Sequence, residues 1–157
     1  MTAKRASILA DESGASLIEL ALVAPLLAGL LMGMVDISRG YSDKLQLEQA
    51  AQRSIERVMQ EKIDSGDMVE TLEAEAAEAA GVDVSAADAD SWLECSSNGV
   101  SWARTTSSTC STTYYARYVS VSVAKSFTPM FGGRYFPNAD SNGAITITGK
   151  ASMRVGQ

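Results

Sequence analysis

The sequence contains no histidine and only two cysteines, Cys95 and Cys110. Without histidine the chain lacks the usual general base, a common metal ligand and the side chain that titrates near physiological pH. Two thiols alone cannot form a four-thiolate zinc site. Basic residues are also few, with 13 Lys and Arg against 19 Asp and Glu, which gives a formal net charge of −6. This balance argues against nucleic acid as a partner, because a phosphate backbone needs a basic surface.

An apolar run near the N-terminus is the dominant feature of the 157-residue chain. Residues 17–37 are about as long as a membrane-spanning helix requires, with Glu19 near one end and Asp36 near the other. The leucines and valines of 20–35 favour insertion by about 2 to 5 kcal/mol in total. One carboxylate at the bilayer centre costs about 2.5 to 3.5 kcal/mol, and less near an end. We therefore predict a single membrane span that tolerates Glu19.

Four residues of this run stand out from the leucines around them. A carboxylate within a span is expensive, so Glu19 is a functional candidate; the alternative is a residue at the headgroup level that marks only the helix edge. Pro25 removes one backbone donor and clashes with the preceding turn, so a kink is expected there. Gly29 and Gly33 have the G-x-x-x-G spacing, which lets another helix approach closely.

The segment before the run does not fit an ordinary secretory signal. Acidic residues at 11 and 12 separate the basic pair at 4 and 5 from the run, and no A-x-A site follows it. We expect either an uncleaved anchor or a cut before the run. In an exported domain Cys95 and Cys110 would pair as a disulfide, and this argument puts the C-terminal part of the chain outside the cytoplasm.

The residues around Gly14 resemble the class III signal of type IV pilin-like proteins. A polar leader ends at Gly14 and is followed by Ala15-Ser16-Leu17-Ile18-Glu19 and the apolar run. Two further strings, ELALVAPLL at 19–27 and LEQAAQR at 47–53, are similar to the TadE group of minor pilins from tight-adherence, or Flp-type, pilus systems. The resemblance covers 14–60. It implies that a prepilin peptidase cuts between Gly14 and Ala15, and that Glu19 acts in assembly by attracting the new amine of a neighbouring subunit.

The resemblance also implies a function. The chain would be a minor pilin, or pseudopilin, that acts in assembly of a Tad/Flp-type pilus and in surface adherence, with no enzymatic activity and no cofactor. Its partners would be the prepilin peptidase, other pilin and minor pilin subunits, the inner-membrane assembly platform and the lipid bilayer. It would cross the bacterial inner membrane once, with a cytoplasmic N-terminus and a periplasmic head, or be incorporated in a surface pilus.

Two other classes of function stay open. One is a membrane-anchored extracytoplasmic binding module unrelated to pili. The other is a membrane-bound hydrolase, which without histidine would need a carboxylate pair or a Ser-Lys dyad. The N-terminal residue of the mature protein distinguishes the binding module from a pilin. A processed pilin would begin at Ala15, whereas the binding module would keep Met1 or Thr2.

Hydrophobic periodicity divides the rest of the chain. Apolar residues at three-to-four spacing predict that the helix continues to Gln60; they are Leu47, Ala51, Ile55 and Val58. The predicted organisation is a cleaved leader at 1–14, a transmembrane helix at 15–37, an amphipathic stalk helix at 38–60 and an extracytoplasmic head at 61–157. Asp67 and Glu70 are expected to cap a second helix that stops at Gly81. An acidic linker is expected at 82–91.

The head is predicted to be α+β, with one disulfide and a small antiparallel sheet. Asn98-Gly99 indicates a hairpin between 92–95 and 100–102, and 105–113 is expected to be loop. A strand follows, with Tyr115, Val119, Val121, Val123 and Phe127 mainly on one face. Alternation over 145–155 predicts the last strand. Asp83, Asp88 and Asp90 could suggest calcium, but the run lacks the glycine and the terminal glutamate of an EF-hand, so turn and capping roles are preferred.

Overall fold

The computed structural model describes residues 13–61, 67–105, 107, 109–130, 133 and 136–156. Its elements are helix α1 (Ser13–Glu61), helix α2 (Met68–Ala80), a 3-10 turn (Val84–Ala86) and strands β1 (Ala87–Ser96), β2 (Ala103–Thr105), β3 (Tyr114–Phe127) and β4 (Ile145–Gly156). The strands form one antiparallel sheet in the order β2-β1-β3-β4. This confirms the predicted α+β class with a long N-terminal helix, a second helix and a small antiparallel sheet.

Helix α1 is continuous over 49 residues, or roughly 70 Å at 1.5 Å per residue. Its first part is exposed, whereas its second part buries one stripe that includes Leu47, Ala51 and Ile55. These are three of the four residues whose three-to-four spacing predicts an amphipathic helix; the side chain of the fourth, Val58, lies outside what the structure describes. The predicted boundary between span and stalk falls inside one unbroken helix, so the division at residue 37 stays a prediction.

The core of the head lies where α1, α2 and the sheet meet. The buried stripe of α1 packs with Leu72, Ala76 and Ala77 of α2 and with valines of β3. Strand pairing brings the inward residues of β1 and β3 together in this core, because Ala87 lies opposite Val123 and Ala89 opposite Val121. The predicted burial of Val119, Val121, Val123 and Phe127 is confirmed.

Strand β4 passes very close to α1 at Gly149. A Cβ built at this glycine would lie 2.6 Å from the Cβ of Leu47, and the helix backbone is nearer still. Only hydrogen fits there, since protein cores are close-packed. This contact lets the edge strand β4 lie against the stalk part of α1.

Helix α2 ends as predicted but does not begin as predicted. Gly81 adopts a left-handed conformation with φ of 66°, and the Val82 N–H donates to the Ala77 carbonyl at 3.0 Å. The predicted capping by the Asp67 side chain is wrong, because that side chain makes no cap hydrogen bond. Asp67 has ψ near 0° rather than the extended backbone that favours side-chain capping. Its carbonyl instead accepts hydrogen bonds from the Thr71 N–H and hydroxyl.

The expected acidic linker at 82–91 is corrected by strand β1, which begins at Ala87. Ala87 is buried and Ala89 half-buried, whereas Asp88 and Asp90 face outwards. The strand therefore does alternate, but with alanine as the inward residue and aspartate as the outward one. Both residue types are depleted in strands, so the sequence pattern by itself favours a linker.

The predicted hairpin exists, but its second strand lies later than expected. Strand β1 pairs with β2 at 103–105 rather than with 100–102. The Asn98 side chain accepts hydrogen bonds from the N–H groups of Val100 and Ser101, both at 2.9 Å, and Gly99 has φ of 71°. These bonds hold 100 and 101 in the turn, so they cannot pair with β1.

Tyr115 is the one misassigned residue of the predicted apolar face of β3. Its side chain is 46% exposed, whereas the neighbouring Ala116 is buried. The hydrophobic cluster between the helices and the sheet begins at Val119 along β3, and Ala116 is buried outside this cluster. The pairing of β3 with β4 also shifts register between Arg117 and Tyr118. Tyr115 therefore lies beyond the part of the sheet that the helices cover.

Candidate functional site

The first part of α1 turns its apolar side chains outwards. Every side chain from Ser16 to Val35 is exposed or half-buried; Leu17 is 68% exposed and Leu22 75% exposed. None of its most apolar 18-residue window is buried against the rest of the described chain. By its length and composition this helix could cross a membrane once, as predicted.

Glu19 lies on this exposed surface, near the N-terminal end of α1. Its side chain is exposed, and no other described residue forms an ion pair with it. A carboxylate on an apolar helix surface is costly inside a bilayer unless a partner or the headgroup region receives it. Whether a neighbouring subunit or the headgroup region receives the Glu19 carboxylate depends on molecules outside this chain. The assembly role and the headgroup-boundary role of Glu19 therefore both stay predictions.

The predicted processing site lies at the start of the same helix. Gly14 and Ala15 belong to the first turn of α1. Most of the predicted leader, residues 1–12, lies outside the described residues. Cleavage between Gly14 and Ala15 therefore stays a prediction.

Pro25 and the two glycines lie further along the exposed surface. Helix α1 runs through Pro25, and the kink expected there stays a prediction. A Cβ placed at Gly29 or Gly33 would meet nothing within 4 Å. The helix surface at these glycines is thus open to an approaching helix or to lipid.

Asp36 joins the exposed part of α1 to the head. Its side chain is only 5% exposed, and its Oδ1 accepts a hydrogen bond from the Met130 N–H at 2.9 Å. A carboxylate that accepts a backbone N–H makes a charge-assisted bond, about twice as strong as a neutral one. The residue that marked the far edge of the predicted span is therefore a contact between the helix and the segment after β3.

An apolar groove lies beside this contact, between α1 and the end of the sheet. We call it the basal groove; it has a volume of about 460 Å³ and is lined by residues that include Gly33, Ile37, Tyr41, Phe127, Phe136 and Ile147. Gly40 also lines it, and a Cβ at this glycine would be 3.5 Å from the Phe127 ring. The groove is continuous with the exposed apolar surface of α1, because Gly33 and Ile37 belong to both.

Two ion pairs also fix the stalk part of α1 to the head. The Lys125 ammonium lies 3.3 Å from an Asp43 carboxylate oxygen, and the Arg57 guanidinium lies 2.7 Å from a Glu75 oxygen. All four side chains retain solvent exposure, so each pair is worth at most about 1 kcal/mol. They align the elements more than they stabilise them.

The predicted disulfide between Cys95 and Cys110 is confirmed, with 5.7 Å between the two Cα atoms. It ties the serine- and threonine-rich loop to β1. Because it uses both cysteines of the sequence, neither thiol is free in this state of the chain.

The outer face of the sheet carries aromatic and charged side chains. Trp92 stacks on Tyr118 with ring centroids 5.6 Å apart, and the Arg104 guanidinium lies 4.5 Å from the Trp92 centroid. Arg104 also pairs with Asp90 at 2.6 Å. Asp90, one of the three aspartates considered for calcium, thus has a cationic partner. Among the described residues no group of three acidic, cysteine or histidine side chains could hold a metal ion.

Sequence reasoning missed two residues that position this site. In the sequence Asp36 indicates only the edge of the span, and the predictions do not include Gly149. An acidic residue ending an apolar run is a signal for a buried contact as well as for a membrane edge. Gly149 offered a similar signal, since an isolated glycine within a strand often marks close backbone approach.

Comparison with known proteins gives one match. Residues 14–55 match the TadE family, described as TadE-like protein. No curated protein and no solved structure matches. The matched segment contains Gly14, Ala15, Glu19, Pro25 and Asp36, and it ends at Ile55 in the buried stripe of α1. Over this exposed apolar helix and the stalk that follows it, the chain is similar to TadE-like proteins.

Proposed function

We propose that this chain is a minor pilin, or pseudopilin, that acts in assembly of a Tad/Flp-type pilus and in surface adherence. The TadE-like match supports a Tad pilus-associated role in general. The observation that carries the finer proposal is the exposed apolar surface of α1 from Ser16 to Val35, with Glu19 near its start and a folded head at its other end. A subunit of this form can be held in a membrane and packed through its helix.

Processing is the step that makes the subunit ready for assembly in this proposal. A prepilin peptidase cuts between Gly14 and Ala15 and leaves a charged amine at Ala15. The amide nitrogen of Ala15 is uncharged before the cut. The new amine can therefore attract Glu19 of a neighbouring subunit only after processing, so cleavage is coupled to assembly.

The chain has a structural role in this proposal rather than an enzymatic one. The absence of histidine and the pairing of both cysteines in the Cys95–Cys110 bridge support this. Its partners are the peptidase, other pilin and minor pilin subunits, the inner-membrane assembly platform and the bilayer. The disulfide supports a head outside the cytoplasm, on the periplasmic side of the inner membrane or on a surface pilus.

A membrane-anchored binding module unrelated to pili is the second candidate. The observation that favours it is the outer face of the sheet, where Trp92, Tyr118 and Arg104 form a stacked aromatic and cationic surface. Such side chains are enriched at protein interfaces. This candidate requires no processing and keeps the leader attached.

The N-terminus of the mature protein tests the two candidates against each other. We expect N-terminal sequencing of the membrane-extracted protein to begin at Ala15. Replacing Gly14 with a bulky residue such as phenylalanine should leave a precursor longer by the leader, residues 1–14, on intact-mass measurement. A Gly29→Phe variant controls for the effect of a bulky residue in the same helix and should be cut normally. A wild-type N-terminus at Met1 or Thr2 would contradict the pilin proposal and favour the binding module.

A further inference from the structure

The hydrogen bond between Asp36 and Met130 sets the height of the head along α1. The Met130 N–H donates to the Asp36 Oδ1 at 2.9 Å, so the backbone at 130 lies level with residue 36 of the helix. Residue 36 lies at the end of the predicted span of residues 17–37. The groove-lining Gly33 lies about 6 Å further into that span than Ile37, at 1.5 Å per residue. If the span is inserted, this part of the head cannot be held away from the bilayer.

Helix α1 and the head both expose large apolar side chains near this height. Met130 is 73% exposed, Ile37 71%, Tyr41 62% and Phe136 44%. We call these four residues the foot. Three of them, Ile37, Tyr41 and Phe136, line the basal groove. Exposed apolar patches of this kind mark interaction sites, and aromatic residues are enriched where a protein meets the membrane–water interface.

We propose that the foot is a lipid-binding surface, which rests in the leaflet nearest the head and takes a phospholipid acyl chain into the basal groove. Continuity with the exposed apolar surface of α1 identifies the occupant, since lipid that surrounds the span at Gly33 and Ile37 also reaches the groove. Arg39 supports an anionic headgroup: its side chain is exposed, and its guanidinium lies 5.9 Å from the Phe127 ring centroid, beside the groove. Cationic side chains at this level attract anionic lipids.

The foot also explains how a carboxylate is accommodated at the membrane edge. Asp36 is covered by the head rather than by lipid, and the Met130 N–H gives it a hydrogen bond. At this height lipid then contacts the apolar side chains of the foot instead of the Asp36 carboxylate. Exposed apolar side chains of the helix and the foot thus extend from near Ser16 to the level of Tyr41, with Glu19 and Arg39 as charged residues among them.

This inference rests on the membrane insertion included in the proposed function, so its test measures the two separately. Spin labels are placed on the full-length protein at Met130→Cys, Phe136→Cys, Leu26→Cys and Val100→Cys, one at a time. The native cysteines are bonded to each other and leave only the new thiol to react. Leu26 is 66% exposed on the predicted span, and Val100 is 81% exposed on the hairpin turn. The protein is reconstituted in vesicles of phosphatidylcholine and phosphatidylglycerol.

The readout is the ratio of label collisions with oxygen, which concentrates in lipid, to collisions with a water-soluble nickel chelate. We expect this ratio to be severalfold higher at Met130 and Phe136 than at Val100, and highest at Leu26. A lipid-like value at Leu26 with water-like values at 130 and 136 would overturn the foot and leave the span intact. A water-like value at Leu26 would overturn the span, and the foot with it. If dilution into excess lipid exposes 130 and 136 to the chelate, a second copy rather than lipid covers the surface, and the proposal is wrong.

Discussion

Gly149 of β4 lies against the backbone of α1 at Leu47, with no room between them for a side chain. A Cβ at this glycine would lie 2.6 Å from the Leu47 Cβ and 2.5 Å from the Glu48 nitrogen. Real Cβ atoms are not found at such separations, so the helix and the strand would have to move apart. The sheet can therefore pack this closely on the stalk only if residue 149 has no Cβ, which means that it must be glycine.

Gly149→Ala is expected to destabilise the head by about 1 to 3 kcal/mol, the usual cost of overpacking a well-packed core. The clash is with helix backbone rather than with a flexible side chain, so little relaxation is available. Gly29→Ala is the matched control, since its Cβ would meet nothing within 4 Å. Denaturant unfolding of both proteins in detergent, followed by tryptophan fluorescence, measures the difference. Equal unfolding midpoints would show that β4 does not lie this close to α1.

The Asp36–Met130 hydrogen bond gives a second prediction. Asp36→Ala removes the acceptor and leaves the part-buried Met130 N–H without it, a loss of about 1 to 3 kcal/mol. Asp36→Asn keeps a side-chain oxygen near the same position and should lose less. Hydrogen exchange of the Met130 amide is the most direct measurement. It should accelerate strongly in the alanine variant and only moderately in the asparagine variant. Unchanged exchange in Asp36→Ala would mean that another group protects this amide.

The Cys95–Cys110 bridge gives a third prediction. Its two ends are separated by 15 residues, a loop whose closure contributes about 3 kcal/mol in the simple chain-entropy treatment. The double variant Cys95→Ser/Cys110→Ser should lose stability of that order, and reduced wild-type protein should lose a similar amount. Thiol labelling of protein from its native membrane, under denaturing and non-reducing conditions, should find neither cysteine free. Two labelled thiols would overturn both the bridge and a head outside the cytoplasm.

Periodic and covalent features of this fold could be predicted from the sequence, whereas contacts between distant residues could not. The spacing of Leu47, Ala51 and Ile55 is enough to predict the buried stripe of α1, because the helix repeat is local. Strand β1 was missed because its inward positions are alanines and its outward ones aspartates. The contact between Asp36 and Met130 joins residues 94 positions apart, and no local pattern indicates which loop will return to a helix.

The same distinction applies to the candidate site. Glu19 and the exposed run around it could be identified from sequence, since the free energy of membrane insertion depends mainly on composition and length. The basal groove could not, because its lining comes from α1, β3, β4 and the segment between the two strands. The sequence distinguishes Gly33 only by its spacing from Gly29. Gly33 lines the groove because of where the head packs on α1, which the local sequence does not indicate.

Glu19 carries the last prediction, which concerns assembly. The carboxylate lies on an exposed apolar surface, where an unpaired charge is costly within a bilayer. A neighbouring Ala15 amine would relieve that cost only at one axial offset between two helices. In low dielectric both the attraction and the desolvation of the two charges are large, so the pair need not stabilise the assembly overall. Its expected contribution is to set the register between subunits, and only processed subunits can provide it.

Glu19→Gln and Glu19→Leu should therefore insert at least as well as wild type and still be cut after Gly14, if the peptidase recognises mainly that glycine. Both should fail to co-purify with pilus partners and to support surface piliation. Glu56→Gln is the matched control, because Glu56 is also an exposed carboxylate of α1 but lies on the stalk; it should assemble normally. Normal piliation with both Glu19 variants would leave this residue as a marker of the headgroup boundary. If the Glu19 variants are not cleaved, the peptidase recognises Glu19 directly. The assembly role would then have to be tested on protein that is supplied without residues 1–14.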